Sequence, residues 1–85
     1  MKNIDPRKYN LSPRIKLQQK TSGHLFIVMD RKSRIIMKDG HRIMAMVHAI
    51  QSSEKNQTVS VLTSAPVCGK TRLFLSDNNI DVKKL

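Results

Sequence analysis

The sequence predicts a small α/β domain of the α+β class: a mixed sheet of four to five strands with two helices, in the order β-β-(β)-α-β-α-β. Three observations predict it: polar and apolar residues alternate over 14–20, residues 25–29 are continuously apolar, and apolar residues recur at helical spacing from 43 to 50. Because 85 residues suffice for one domain, we expect a single α/β domain over 14–85 after an irregular basic arm over 1–13.

The first strands are predicted from the alternation of polar and apolar residues and from a turn signal. Arg14 to Lys20 places its apolar and basic side chains on opposite faces, which predicts a half-buried strand with a basic outer face. Ser22-Gly23 is a hairpin turn signal, so His24 to Asp30 is expected to pair with it as a central strand. Arg34 to Lys38 is interpreted as a third short strand, or as the far end of a bent second one.

The second half alternates helices and strands. Asp39 is expected to cap a helix from about Gly40 to Ser52, whose inner face holds Ile43, Val47 and Ile50. A polar loop then leads to a buried strand from Thr58 to Thr63. The second helix is predicted to be capped by Ser64, with Pro66 in its first turn, and to end at Asp77-Asn78-Asn79. Ile80 to Val82 is predicted to form the last strand, after which residues 83–85 fray.

Composition restricts the setting of the protein. A single cysteine allows no disulfide within the chain, and no signal-peptide pattern follows the first residues. The longest apolar run, five residues, is far too short to span a bilayer. We therefore expect a cytoplasmic protein with no membrane partner.

Charge is the strongest departure from an average composition. The chain has 16 lysines and arginines against six acidic residues, a net charge of +10, and most of the excess lies in residues 1–42. A one-sided positive field favours association with polyanions, because such contacts release condensed counterions. The predicted nucleic-acid contacts are Arg14, Lys16, Lys20, Arg31, Lys32, Arg34, Lys38 and Arg42, with Lys2, Arg7 and Lys8 as a mobile extension.

The segment from Asp30 to Arg34 follows an apolar strand and precedes a helix. Its Asp30-Arg31-Lys32 resembles the acid-x-Lys half of the restriction-endonuclease-like nucleases, which implies an acid that ligates magnesium and a lysine that orients water. That chemistry requires a second carboxylate on the neighbouring strand, and residues 14–20 contain none. The segment is therefore interpreted first as a charged turn, and a degenerate relative of these nucleases that still binds nucleic acid is kept as an alternative.

A second local pattern is Gly69-Lys70-Thr71, which follows a predicted strand and opens a predicted helix, like the end of a phosphate-binding loop. The opening glycine of that motif is Ser64 here, and Pro66 removes an amide donor. We therefore expect no nucleotide hydrolysis. The milder hypothesis is an anion site at Gly69, Lys70 and Thr71 near the start of the helix.

These observations favour a non-catalytic nucleic-acid-binding domain with weak sequence selectivity. Only three aromatic residues are present, so no base-stacking platform is expected and contacts should be made mainly to the backbone. No catalytic residue is assigned, and no cofactor or metal is expected, because no Cys-x-x-Cys or His-x-x-x-His pair occurs. The alternative is a protein-interaction or regulatory subunit, a homodimer or the partner of an acidic protein, that pairs through edge strands at Arg14–Lys20 and Ile80–Val82.

Overall fold

A computed structural model describes residues 1–85, which form one mixed five-stranded sheet with two α-helices. The elements in chain order are β1 (Lys2–Ile4), a short 3₁₀ helix (Pro6–Tyr9), β2 (Lys16–Thr21), β3 (His24–Met29), α1 (Met37–Ser53), β4 (Thr58–Thr63), α2 (Gly69–Asp77) and β5 (Val82–Lys84). The predicted fold class, the strand and helix order and the bounds of β4 are confirmed.

The strands lie in the sheet in the order in which they occur along the chain. The pairs β1–β2 and β2–β3 are antiparallel, whereas the pairs β3–β4 and β4–β5 are parallel. Gly23 occupies the β2–β3 turn with a φ of 87°, a left-handed conformation that glycine adopts without steric cost. The apolar β3 is central, as predicted, and its four middle residues are buried.

Both helices pack on the same face of the sheet. The buried side chains of α1, which are Ile43, Val47 and Ile50 as predicted, form one cluster with Leu75 of α2 and with alternate residues of β3 and β4. Phe26, Val28 and Leu62 point to the opposite face, where they form a small separate cluster. Neither helix has the length and apolar character needed to cross a bilayer.

The N-terminal arm is ordered, contrary to the expectation of an irregular segment over residues 1–13. β1 pairs with β2 through Ile4 and Leu17, and Tyr9 is buried in the core. The Tyr9 hydroxyl donates a hydrogen bond to Glu54 just after α1. The prediction failed because the strand is three residues long and has too few positions to show alternation.

Helix α1 begins earlier than predicted, and Arg34–Lys38 is not a strand. The Asp39 carboxylate accepts a hydrogen bond from the Ile36 amide at 2.9 Å, so Asp39 caps the helix from its third position instead of preceding it. The proposed third strand is reduced to one bridge between Ile35 and Val67.

The start of α2 and the last strand are also displaced. The Ile35 amide donates to the Pro66 carbonyl oxygen and the Cys68 amide donates to that of Ile35, which ties residues 66–68 to the loop before α1 until α2 begins at Gly69. Asn79 takes a left-handed conformation at the end of α2, as expected. The last strand begins at Val82 instead of Ile80, and the Leu85 amide donates to Thr63, so residues 83–85 do not fray.

Candidate functional site

The candidate site lies at the edge of the sheet where β3 and β4 end, which we call the carboxyl edge. Because β3 and β4 are parallel, Met29 and Thr63 finish their strands side by side. β2 is antiparallel to β3 and begins at this edge with Lys16, which is opposite Val28. In open α/β sheets, ligands bind in the crevice outside the carboxyl ends of the strands.

A cleft of about 300 Å³ opens at this edge between the start of β2, the end of β3 and the first turns of α1. We call it the first cleft. Apolar side chains, among them Ile15, Met29 and Met46, form part of its wall. Its charged residues are Arg14, Lys16, Arg31, Arg42, Asp30 and Asp39.

Three of the four cations in the first cleft have no acidic partner. Arg14, Lys16 and Arg42 are exposed, and none forms an ion pair. The whole chain contains only three ion pairs, so thirteen of its sixteen lysines and arginines are unmatched by a carboxylate. Exposed cations with no internal partner remain available to an external anion.

The fourth cation, Arg31, is held within the protein. Its guanidinium donates to Asp39 at 2.6 Å and to the carbonyl oxygens of Ser33 and Arg34. Burial on its own would raise the pKa of Asp39, but the hydrogen bonds from Arg31 and the Ile36 amide outweigh that effect, so the pKa lies below its ordinary value. Arg31 therefore shapes the loop before α1 and contributes a partly neutralised charge to the cleft.

Asp30 lies on the boundary between the ends of β3 and β4. Its carboxylate accepts a hydrogen bond of 2.6 Å from the Ser64 hydroxyl, which in turn accepts one from the Arg31 amide. Ser64, predicted to cap α2, instead joins the two strand ends. The first cleft thus holds two carboxylates, but both are engaged by neighbouring side chains.

The structure brings most of the predicted nucleic-acid contacts to the carboxyl edge. Arg14, Lys16, Arg31 and Arg42 line the first cleft, and Lys32, Arg34 and Lys38 lie in the adjoining loop and the first turn of α1. Lys20 does not join them, because it lies at the other end of β2, next to the hairpin turn at Ser22-Gly23.

Gly69, Lys70 and Thr71 form the first turn of α2 and not a loop. Thr71 is completely buried, so its hydroxyl cannot reach a magnesium ion bound outside the helix. The backbone amides of Thr71 and Lys70 lower the pKa of the Cys68 thiol, although the Cys68 side chain forms no capping hydrogen bond with α2. A Cβ added at Gly69 would meet no atom within 4 Å, so no close backbone approach requires a glycine there.

Comparison with known proteins yields no relative. No protein-family model, curated protein or solved structure matches this chain. The function is therefore argued from the residues of the carboxyl edge.

Sequence reasoning missed two features of this edge. It assigned Asp39 to helix capping alone, although Asp39 also lines the first cleft and holds Arg31. It also treated Lys83 and Lys84 as a frayed end, whereas both belong to β5 and lie at the carboxyl edge. Only the role of Asp39 had a signal in the sequence, because an acidic residue in the first turn of a helix favours local hydrogen bonds.

Proposed function

We propose that this protein is a non-catalytic nucleic-acid-binding domain that contacts the phosphate backbone at the carboxyl edge of its sheet. The observation that carries this proposal is the first cleft, where Arg14, Lys16 and Arg42 are exposed and have no ion-pair partner. The four cations of this cleft outnumber its two carboxylates. An excess of like charge reduces the stability of the folded chain, and a bound phosphate would lower that excess.

The aromatic residues support backbone contacts over base recognition. Tyr9 and Phe26 are each 2% exposed, and the ring of Phe74 is half-buried against His41. Proteins that bind unpaired bases stack them on exposed aromatic rings, and this surface offers no such platform. A duplex, whose bases are already stacked and whose phosphates face outward, is the better match.

The test compares two double variants that remove the same charge from opposite edges of the sheet. Arg14→Gln/Arg42→Gln alters the first cleft, and Lys20→Gln/Lys55→Gln alters exposed positions near the hairpin turn and after α1. Binding of a 20-base-pair DNA duplex is measured from about 50 to 200 mM salt. We expect the slope of log K against log salt to fall by about two for the first variant and to change little for the second.

Two results would contradict the proposal. One is an equal loss of affinity in both variants, which would show that only net charge matters. The other is the absence of salt-dependent duplex binding by the unaltered protein. If sizing of that protein also shows a discrete oligomer, the protein-interaction alternative would replace the proposal. The edge strands available for such pairing are β1 and β5. The predicted segment Arg14–Lys20 is not available, because β1 pairs with β2.

A further inference from the structure

A second cleft lies farther along the carboxyl edge, between the end of β4, the first turns of α2 and the end of β5. Its volume is about 380 Å³, and its charged residues are Arg72, Lys83 and Lys84. All three are exposed, and none forms an ion pair. Unlike the first cleft, the second cleft is lined by no aspartate or glutamate.

The backbone of the two lysines is held by the sheet, and because they are consecutive residues of β5 their side chains leave opposite faces of it. Lys83 and Lys84 pair with Leu62 and Thr63 of β4, and the amide of Leu85 donates to the Thr63 carbonyl oxygen at 3.0 Å. Arg72, Lys83 and Lys84 therefore line one concave surface whose own lining contains no acidic residue, and Asp81 lies in the neighbouring cleft with Arg72 and Lys83. A group of exposed cations that lines a concave surface is suited to bind an oxyanion such as a phosphate group.

The two clefts share a boundary. Ser64 lines the second cleft and donates its hydroxyl hydrogen to Asp30, which lines the first. Lys16 on β2 and Lys84 on β5 are three strand intervals apart, or about 14 Å at the usual strand spacing. Phosphates on one strand of B-DNA advance about 3.4 Å per base pair along the axis, so this span covers about four base pairs.

We propose that the second cleft is a phosphate-binding subsite, and that a single nucleic-acid duplex contacts both clefts across the Asp30–Ser64 boundary. This inference rests on the proposed function, because it extends the same binding surface. The negative charge of Asp30 disfavours a phosphate at the boundary itself, so the contacted phosphates lie on either side of it. The subsite then adds affinity without adding sequence selectivity.

The test variant is Lys83→Gln/Lys84→Gln. The control is Lys20→Gln/Lys55→Gln, which also removes two lysine charges but does so at the opposite edge. Both are assayed in the full chain with the 20-base-pair duplex over the same salt range. We expect the salt slope to fall by about two in the Lys83/Lys84 variant and by about four when it is combined with Arg14→Gln/Arg42→Gln. Circular dichroism checks that the variant keeps the fold of the domain. Arg72→Gln, which leaves β5 unaltered, should lower the slope by about one.

The outcomes separate the subsite from the proposed function. If the Lys83/Lys84 and Arg72 variants behave like the control while the Arg14/Arg42 variant loses affinity, the second cleft is not a subsite and the proposed function stands. If the two pairs of changes are not additive and two duplexes bind per protein, the clefts act separately and the single-duplex inference is overturned. If every variant matches the control, both proposals fail.

Discussion

Asp30 is an exposed carboxylate in a cleft whose other charges are mostly positive. A nuclease of the type that the sequence resembles would use it to hold a metal, whereas a backbone-binding protein would find its charge unfavourable. The hydrogen bond from Ser64 fixes this carboxylate where the two clefts meet. Replacing Asp30 is therefore expected to have opposite effects in a nuclease and in a backbone-binding protein.

We expect Asp30→Asn to bind a DNA duplex about fivefold more tightly at low salt. The gain corresponds to about 1 kcal/mol, the interaction of two unit charges 4 Å apart in water. Affinity is measured alongside Asp77→Asn, which removes an equal charge at the end of α2. Weaker binding, or loss of a metal-dependent cleavage activity, would instead support the nuclease interpretation.

Asp39 provides a test of how the loop before α1 is held. Its pKa is lowered in the folded state, so the ion pair with Arg31 stabilises the protein fully above the unfolded-state pKa of about 3.9. That stabilisation is lost as the pH falls through the lower folded-state pKa. The asparagine variant keeps an acceptor for the Ile36 amide but lacks the charge.

We expect Asp39→Asn to reduce the free energy of unfolding by about 2 kcal/mol at pH 7, the size of a hydrogen bond to a charged group. The difference from the unaltered protein should shrink as the pH is lowered below 4, as measured by urea unfolding. Asp81→Asn, at a residue without an ion pair, serves as the control. A difference that is constant with pH would show that the Asp39 charge is not the source of the effect.

At the scale of elements, the contact between α1 and α2 depends on Gly40. A Cβ at this position would lie 3.1 Å from the Thr71 methyl carbon and 3.3 Å from the Phe74 ring. Thr71 is completely buried and cannot move aside freely. The absence of a side chain at residue 40 therefore lets the two helices approach each other on one face of the sheet.

We expect Gly40→Ala to lower the free energy of unfolding by about 1 kcal/mol, because the cost of overpacking exceeds the gain in helix propensity. Thr71→Ser removes the crowded methyl group and should restore most of the loss in the double variant. Gly69→Ala is the matched control, since open space surrounds that position. If Gly40→Ala proves stabilising, the helix contact is looser than these distances indicate.

The same scale shows where sequence patterns are sufficient. β3, β4 and the buried face of α1 were predictable because each is long enough for its apolar residues to show a period. β1 and β5 have three residues each, which is too few. The start of α2 could not be predicted because the bridge between Ile35 and Val67, which are 32 positions apart, determines where the helix begins.

At the scale of the whole molecule, the order of the strands concentrates charge. Three stretches of the chain that are remote in sequence, around residues 14–16, 31–42 and 72–84, meet at the carboxyl edge. The sequence placed the basic excess in residues 1–42, whereas the folded edge also includes Arg72, Lys83 and Lys84 from the second half. Lys20 is the opposite example, because it belongs to the basic half of the sequence but lies near the hairpin turn, away from the carboxyl edge.

The sequence by itself determined the fold class, the order of the main elements, the buried residues of β3 and α1 and the sign of the charge. Local periodicity and composition encode all of these. Only the tertiary structure decided which cations share a cleft, which are matched by a carboxylate and that both helices lie on one face. The physical reason is that ion pairing and cleft formation depend on distances between segments far apart in the chain, and those distances exist only once the sheet has assembled.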